Sequence, residues 1–313
     1  MHPTANQQDG YVRFIEAQGL PVFAAQGSLW VEKRKFFYES IPQHRRVHLR
    51  PQAAARLFRG GAAVLRYTCE EHEGDPSFEY VCSQKPFSLE ALSSDARRRV
   101  RRGLESCEIR PADFTLLAER GCAINRSTLE RQGRSGVEWM TDEAVWRRYM
   151  TACAGIPNVH ALGAFVEGQL CGYSMAVTVD DYAYLYHTQA LSEYLKYSPV
   201  NALTYAMTKA MLECEGIQNV SQGLESFQPL PEVEKFKLGL GFRKRALGRK
   251  VVINPLARPL FSSPAIWLAK NALAKFKPGL AEDFATFTTS LRNRATTLSR
   301  GEASSGKSTG GNL

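Results

Sequence analysis

YAYLYHTQALSEYLKYSPVNALTYAMTKAMLECEGIQNVSQGLESFQPLPEVEKFKLGLGF, residues Tyr182 to Phe242, is the stretch that decides the fold. Aromatic and polar residues alternate from Tyr182 to Gln189, which predicts a strand with two different faces. A turn-rich segment from Ser192 to Pro199 follows. A helical pattern then runs from Asn201 to about Cys214, with Leu203, Met207, Ala210, Met211 and Cys214 on one side. Gly216 supplies the stop, since glycine readily leaves the helical conformation. A second strand is expected over Ile217 to Gly223, followed by Glu225, a Pro-bounded loop and a short Lys-rich helix ending at Gly239 and Gly241. The order strand, loop, helix, strand, helix is a crossover. It can place a helix N-terminus beside the end of a strand, where backbone N–H groups favour an anion.

Upstream, Val159 to Val166 and Leu170 to Val179 are expected to form a hairpin turning at Glu167-Gly168-Gln169. Asp142 caps a predicted helix through Trp146 to Ala152. Asn125 to Trp139 reads as a polar loop, and Pro111 to Ala123 as the start of a helix. Ser88 to Ser106 has Leu89, Leu92, Ala96, Val100 and Leu104 at helical spacing, which predicts one helix starting at Ser88. Arg97, Arg98, Arg99, Arg101 and Arg102 occupy much of its remaining surface. A solvated face explains such a run, and so does a phosphate-facing one, because guanidinium forks match phosphate oxygens. Before residue 87 the chain reads as β-rich with few helices: Met1 to Asp9 is expected to be loose, with strands at 22–25, 28–31, 62–67 and 78–83 and a short helix at Pro51 to Phe58. After Gly241 a last core strand is expected over Lys250 to Asn254. A basic amphipathic helix is expected at Ala265 to Phe276 and a disordered tail from about Thr296.

The quoted residues resemble, in this order, the second half of a GNAT acyltransferase fold. More narrowly they resemble the branch holding the FemAB peptidoglycan aminoacyltransferases and the BioF-like acetyltransferases. Ser198-Pro199-Val200-Asn201-Ala202-Leu203 stands where that branch has Ser-Pro-Gly and then Leu, with Val200 departing from the pattern. A strand ends in Gly223 with an acid two residues on. Phe236-Lys237-Leu238-Gly239-Leu240-Gly241-Phe242 is close to the branch's Phe-Lys-x-x-x-Gly-Phe ending, and Ser94 to Arg102 resembles its Arg-rich helix. The resemblance covers roughly residues 87–255. It implies an α/β (α+β) architecture: a GNAT-like mixed central sheet flanked by helices. It also raises two tandem GNAT-like halves, the N-terminal one degenerate. The expected organisation is a β-rich half at 1–86, an acyltransferase core at 87–255, a helical extension at 256–295 and a tail at 296–313.

The length of 313 residues and an apolar content of 44% allow a substantial core, and a net charge of +9 suits an anionic ligand such as CoA, a nucleotide, tRNA or an acidic lipid headgroup. The seven cysteines are scattered, without CxxC pairs or Cys/His ligand spacing, which argues against a disulfide framework and a structural zinc site. No apolar run approaches the ~20 residues of a membrane span, and no signal-peptide pattern precedes the first strand. The expectation is a cytoplasmic protein, with peripheral contact at the inner face of the membrane as the furthest extension, through the basic C-terminal helix. Glycines 239 and 241 do not follow a strand as a dinucleotide fingerprint requires. No Ser-His-Asp or Cys-His arrangement stands out.

Acyl transfer to an amine requires the amine to lose a proton, the acyl carbonyl to be polarised and the leaving group to be stabilised. Glu225, just past the central strand, is the first candidate for general base, with a solvated loop acid as the other reading. His187 is a candidate proton relay and, by alternation, faces away from Tyr186. By resemblance Lys237 meets a cofactor or tRNA phosphate or the developing oxyanion. Ser198, Pro199, Val200, Asn201 and Ala202 are the candidate CoA pyrophosphate turn, with Ser198 or Asn201 capping the helix. Arg98, Arg101, Arg102 and Tyr184 are candidate substrate contacts. Tyr184 and Tyr194 are also candidate leaving-group acids. The resemblance implies an N-acyltransferase moving an acyl group from acyl-CoA to an amine of a small molecule, sugar or cell-envelope precursor. Two alternatives stay open: a Fem-type enzyme drawing on aminoacyl-tRNA, and a non-catalytic module binding nucleic acid or acidic lipid. No metal is implied.

Overall fold

The computed structural model describes residues 5–133, 138–226 and 230–261. The chain opens with α1 (Ala5–Ala17), β1 (Val22–Ala25), β2 (Ser28–Arg34) and β3 (Phe37–Ile41). Helix α2 (Pro51–Arg59), β4 (Val64–Cys69), β5 (Asp75–Cys82), α3 (Ser94–Ser106) and β6 (Glu108–Pro111) follow. Next come α4 (Phe114–Gln132), α5 (Glu143–Ala154), β7 (Val159–Val166), β8 (Gln169–Val179) and β9 (Tyr182–Ala190). The last elements are α6 (Pro199–Glu213), β10 (Asn219–Leu224), α7 (Pro231–Gly239) and β11 (Arg243–Ile253). The chain divides into two compact units, Met1–Leu20, Glu79–Leu224 and Pro229–Arg245 in the first, and Pro21–Phe78, Glu225–Gln228 and Ala246–Leu313 in the second.

The first unit is a mixed sheet in the order β5-β10-β9-β8-β7-β6 with helices on its faces. All its neighbours are antiparallel except β9 and β10, which the α6 crossover makes parallel. The predicted strand, helix, strand, helix order is therefore present. The β7–β8 hairpin turns on Glu167 and Gly168, both at positive φ, as a tight two-residue turn requires. Trp146, Tyr149, Met150 and Cys153 of α5 and Leu117 and Ile124 of α4 are buried in the core.

Four expectations change. Ala5 to Asp9, expected to be loose, are the first turns of α1, which goes on to bury Tyr11, Phe14 and Ile15. Gly10 hides this helix in the sequence, and its role is close approach: a Cβ there would lie 2.0 Å from Asn158 Oδ1. The polar loop expected from Asn125 is instead the second half of α4. Asn125 and Thr128 are buried but satisfied, Asn125 by Met140 O and the Tyr173 hydroxyl, Thr128 by Ala190 O. The helix expected at Ser88 begins at Ser94, with Ser93 Oγ accepting the Ala96 N–H at 3.3 Å. Leu89 lies in a separate short turn whose carbonyls are held by the Arg97 guanidinium. The last strand, β11, is longer than the predicted 250–254. The helix expected at Ala265 to Phe276 and the tail from Thr296 lie outside the described residues.

The second unit has its own sheet order, β1-β2-β3-β4-β11. Helix α2 covers one face, setting Ala54 and Leu57 on Trp30, Tyr38, Leu65 and Tyr67. The other face carries Phe37, Val64, Val251 and Ile253. Among these apolar residues sits a buried ion cluster. Glu39 accepts from Arg66 at 2.6 Å and from Arg249 at 3.1 Å.

Candidate active site

The site begins with β9 and β10. These parallel strands pair over Asn219 with Tyr182, Val220 with Ala183 and Ser221 with Tyr184. β9 then continues to Ala190, while Gly223 takes φ 84 and the β10 register with β5 shifts between Ser221 and Leu224. The two strands thus part at their carboxyl ends. The crossover places the first turn of α6 at the carboxyl end of β9, the position at which α/β sheets present helix N-termini to ligands.

Ser198 occupies the position before α6 with φ 60 and ψ 40. A left-handed conformation costs a non-glycine residue roughly 1 kcal/mol, so this turn is held by its surroundings. The expected side-chain cap is absent: the Ser198 side chain makes no capping bond. Its carbonyl instead accepts the N–H groups of Asn201 at 3.2 Å and Ala202 at 3.3 Å. Of the five predicted turn residues, Pro199 and Ala202 are buried, while Ser198, Val200 and Asn201 reach solvent. The turn is fixed from behind by α3. A Cβ on Gly103 would lie 2.7 Å from both Ser198 O and Ala202 Cβ, so only glycine lets α3 approach this closely.

Lys237 lies on α7 beside β10. Its ammonium donates to Gln222 O at 2.9 Å and sits 4.2 Å from the centre of the Tyr80 ring. Burial lowers its pKa to about 8. Pro231 at the first turn of α7 sets the helix direction, and the chain closes after Leu240 with Gly241 at φ 86.

A bulge in β9 places His187. Met175 pairs with His187 but Ala176 pairs with Leu185, which leaves Tyr186 as the extra residue. The expected opposition of Tyr186 and His187 is therefore wrong. Phe14 packs edge-on against Tyr186 at 4.7 Å and against Tyr149 at 5.9 Å, and Tyr149 in turn faces His187. His187 is buried among Trp139, Trp146 and Tyr149, with Tyr149 Oη 3.2 Å from Nε2. Burial pushes the Tyr149 hydroxyl well above its ordinary pKa. Tyr184 is also buried, packed on Tyr11 and Tyr182, so its ring is a packing surface and not an exposed substrate contact.

The arginines of α3 have separate fates. Arg97 is spent on the carbonyls of Leu89, Glu90 and Leu92. Arg98 and Arg99 pair with Asp95 at 2.7 and 3.0 Å. Ser94, Arg97, Arg98, Arg101, Arg102 and Glu105 line an open depression of about 520 Å³ on the solvent side. Glu225 belongs to the second unit. Its carboxylate accepts from Ser77 Oγ at 2.9 Å, its N–H donates to Phe78 O and its carbonyl accepts from Arg249. The site residues brought together in the first unit are the α6 turn and α3. Lys237 is fixed on β10, and His187 is fixed apart from it against α5. Sequence reasoning missed Tyr80 and Tyr149. Both are single aromatics in apolar patterns and carry no signal that separates them from core.

Residues 93–237 match the profile of the acetyltransferase (GNAT) domain. The crystal structure of FemX is similar over 82% of this chain and 94% of that one, at 11% identity and a TM-score of 0.57. The C-terminal domain of a putative lysylphosphatidylglycerol synthetase from Agrobacterium fabrum is similar over 86% of this chain and 95% of that one, at 8% identity and a TM-score of 0.53. No curated protein sequence matches the chain. The chain thus has a GNAT-like fold, and residues 93–237 carry the match to the acetyltransferase domain. Its fold is the one FemX has. Among the described residues no helix is long and apolar enough to cross a membrane, and no three His, Cys, Asp or Glu side chains are grouped to hold a metal ion.

Proposed function

We propose that this protein is an N-acyltransferase that moves an acyl group from acyl-CoA to an amine of a small molecule, sugar or cell-envelope precursor. The observation that carries this is the first turn of α6, set at the carboxyl end of β9 where β9 and β10 part. Pyrophosphate would be met by the N–H groups of this turn and the positive end of the α6 dipole. Ser198, Val200 and Asn201 are the residues open to it. A linear acyl-pantetheine arm would lie along the unpaired edge of β9. In the reaction the amine nitrogen bonds to the acyl carbon, the C–S bond breaks, the thiol leaves and the amine gives up a proton. Lys237 would polarise the acyl carbonyl as an ammonium donor. On the sequence reading Glu225 is the general base, directly or through water; His187, buried against α5 apart from Lys237, is left out of the relay. Arg98, Arg101 and Arg102 would meet substrate phosphates.

The envelope as the location of the acceptor is favoured by the likeness to the Agrobacterium protein, a putative lysylphosphatidylglycerol synthetase. The exposed α3 arginines favour a second reading, an aminoacyl-tRNA donor. Calorimetric titration with CoA and acetyl-CoA, repeated at high salt, separates the readings. Saturable binding that survives salt supports the CoA site. Absence of binding to either compound sinks it, and transfer from charged tRNA would then establish the second reading. Absence of both would leave a binding module of GNAT fold. The expected location is the cytoplasm, with peripheral contact at the inner face of the membrane.

A further inference from the structure

Lys237 and Glu234 are three residues apart on α7, the spacing at which a helix usually pairs an acid with a base. Here they do not pair. The Glu234 oxygens are taken by the Tyr80 hydroxyl, which donates at 2.8 Å, and by Lys244, which donates at 2.8 Å. Tyr80, 7% exposed, presents its ring to the Lys237 ammonium at 4.2 Å. A lysine ammonium has three donors, and the described residues take one of them, through Gln222 O.

We propose that Tyr80 is a positioning residue for Lys237: its ring seats the ammonium while its hydroxyl holds the Glu234 carboxylate away from it. The ring face attracts the cation without neutralising it, and the diverted carboxylate leaves N–H groups free for a developing oxyanion. A Lys237–Glu234 pair would do the reverse, giving those donors an internal acceptor. The catalytic meaning of this seat rests on the proposed role of Lys237 at the reacting carbonyl.

The groups around the ammonium are few. Tyr80 comes from β5 and the Gln222 carbonyl from β10. Glu234 and Lys235 come from α7, and β11 brings Lys244 to Glu234. Helix α3 sets the uncharged Ser93 and Ala96 against Gly239. Burial is what moves the Lys237 titration, with no acidic neighbour contributing.

The test is trace acetylation of the full chain with acetic anhydride across pH, with the Lys237 peptide quantified by mass spectrometry. It reads the ammonium directly and needs no acceptor. Tyr80→Phe keeps the ring but releases Glu234, so the Lys237 midpoint should rise by about one unit as the carboxylate pairs with it. Tyr80→Phe with Glu234→Gln should return the midpoint to the wild-type value. Tyr80→Leu with Glu234→Gln removes the ring with no carboxylate to release, and should lower the midpoint by about half a unit. A merely structural tyrosine would not move the midpoint in opposite directions. Midpoints unchanged in Tyr80→Phe and in Tyr80→Leu with Glu234→Gln overturn the seat. Tyr80→Phe preserves volume, so its result stands if Tyr80→Leu does not fold. Should Lys237→Met retain full acyl transfer while the midpoints shift as expected, the role of Lys237 in the reaction falls and the seat remains only as packing.

Discussion

Each unit removes positive charge from water, and the two do so differently. In the second unit the Arg66 and Arg249 guanidiniums share the Glu39 carboxylate on a buried sheet face. In the first, Lys237 has a carbonyl and an aromatic ring but, among the described residues, no carboxylate. Burial acts to raise the Glu39 pKa, but Arg66 and then Arg249 override it and hold the carboxyl below its usual range. Burial of Lys237 meets no such opposition, and its pKa falls to about 8. Pairing makes buried charge permanent; leaving it unpaired makes it titratable and available. The first arrangement is architecture. The second is what a group must have if it is to respond to charge that develops only during a reaction.

Cutting the paired arrangement should have the largest effect on folding. Glu39→Ala leaves two guanidiniums buried without their shared carboxylate and should cost about 3–5 kcal/mol, read as a fall in the urea midpoint at constant slope. A loss under about 1 kcal/mol would mean the cluster is far wetter than its burial indicates. Lys237→Met tests the other side. It removes a charge that has no acidic partner among the described residues, so stability should hold or rise, while acyl transfer should drop about 10²–10³-fold, as on losing one preorganised donor. Loss of stability together with activity would place Lys237 with the paired cluster and end the contrast.

The two regions also predict opposite pH limbs. Glu39 has a folded pKa below its unfolded one, so its contribution is complete above the unfolded value, about pH 4, and is lost as pH falls through the folded value. Lys237 titrates in the folded chain at about 8 against 10.5 for the free side chain. Between those values the unfolded chain binds more protons, so stability rises with pH. Denaturation midpoints followed from pH 7 to 10 should climb in wild type and stay flatter in Lys237→Met. Parallel curves would show that Lys237 is not desolvated.

Much of this fold is legible in the sequence because it rests on local signals. Apolar spacing and the turn residues from Tyr182 to Phe242 identify the crossover, the helix starting after Ser198 and the hairpin at Glu167 and Gly168. What escapes is set by neighbours remote in sequence. Gly10 looks like a break until Asn158 is seen against it, and Asn125 looks like loop until Tyr173 and Met140 satisfy it. The β9 bulge defeats strict alternation, because pairing with β8 decides which residue is extra. For the candidate site, the chain names Lys237 but not Tyr80, and the arginines of α3 look equivalent. Their difference lies in partners: Arg97 binds carbonyls, Arg98 and Arg99 bind Asp95, and Arg101 and Arg102 line the open depression.

Those solvated arginines are the third way of placing a cation, and they should give the smallest effect. Arg101→Ala with Arg102→Ala removes charge that water already screens, so folding stability should change by less than about 0.5 kcal/mol. Binding then shows what the charge serves. If the donor is CoA, held mainly by backbone N–H groups at the α6 turn, its affinity should fall only about two- to threefold at low salt. That difference should vanish at high salt, where exposed charges are screened. If the donor is a nucleic acid running over α3, the slope of log affinity against log salt should fall by roughly 0.7–0.9 for each phosphate that the two arginines neutralise. A steep slope in wild type that flattens in the double variant would move the donor from CoA to RNA. It would also turn the α3 face from a solvated surface into part of the site, while Lys237, half-buried on β10, kept the same place in either reaction.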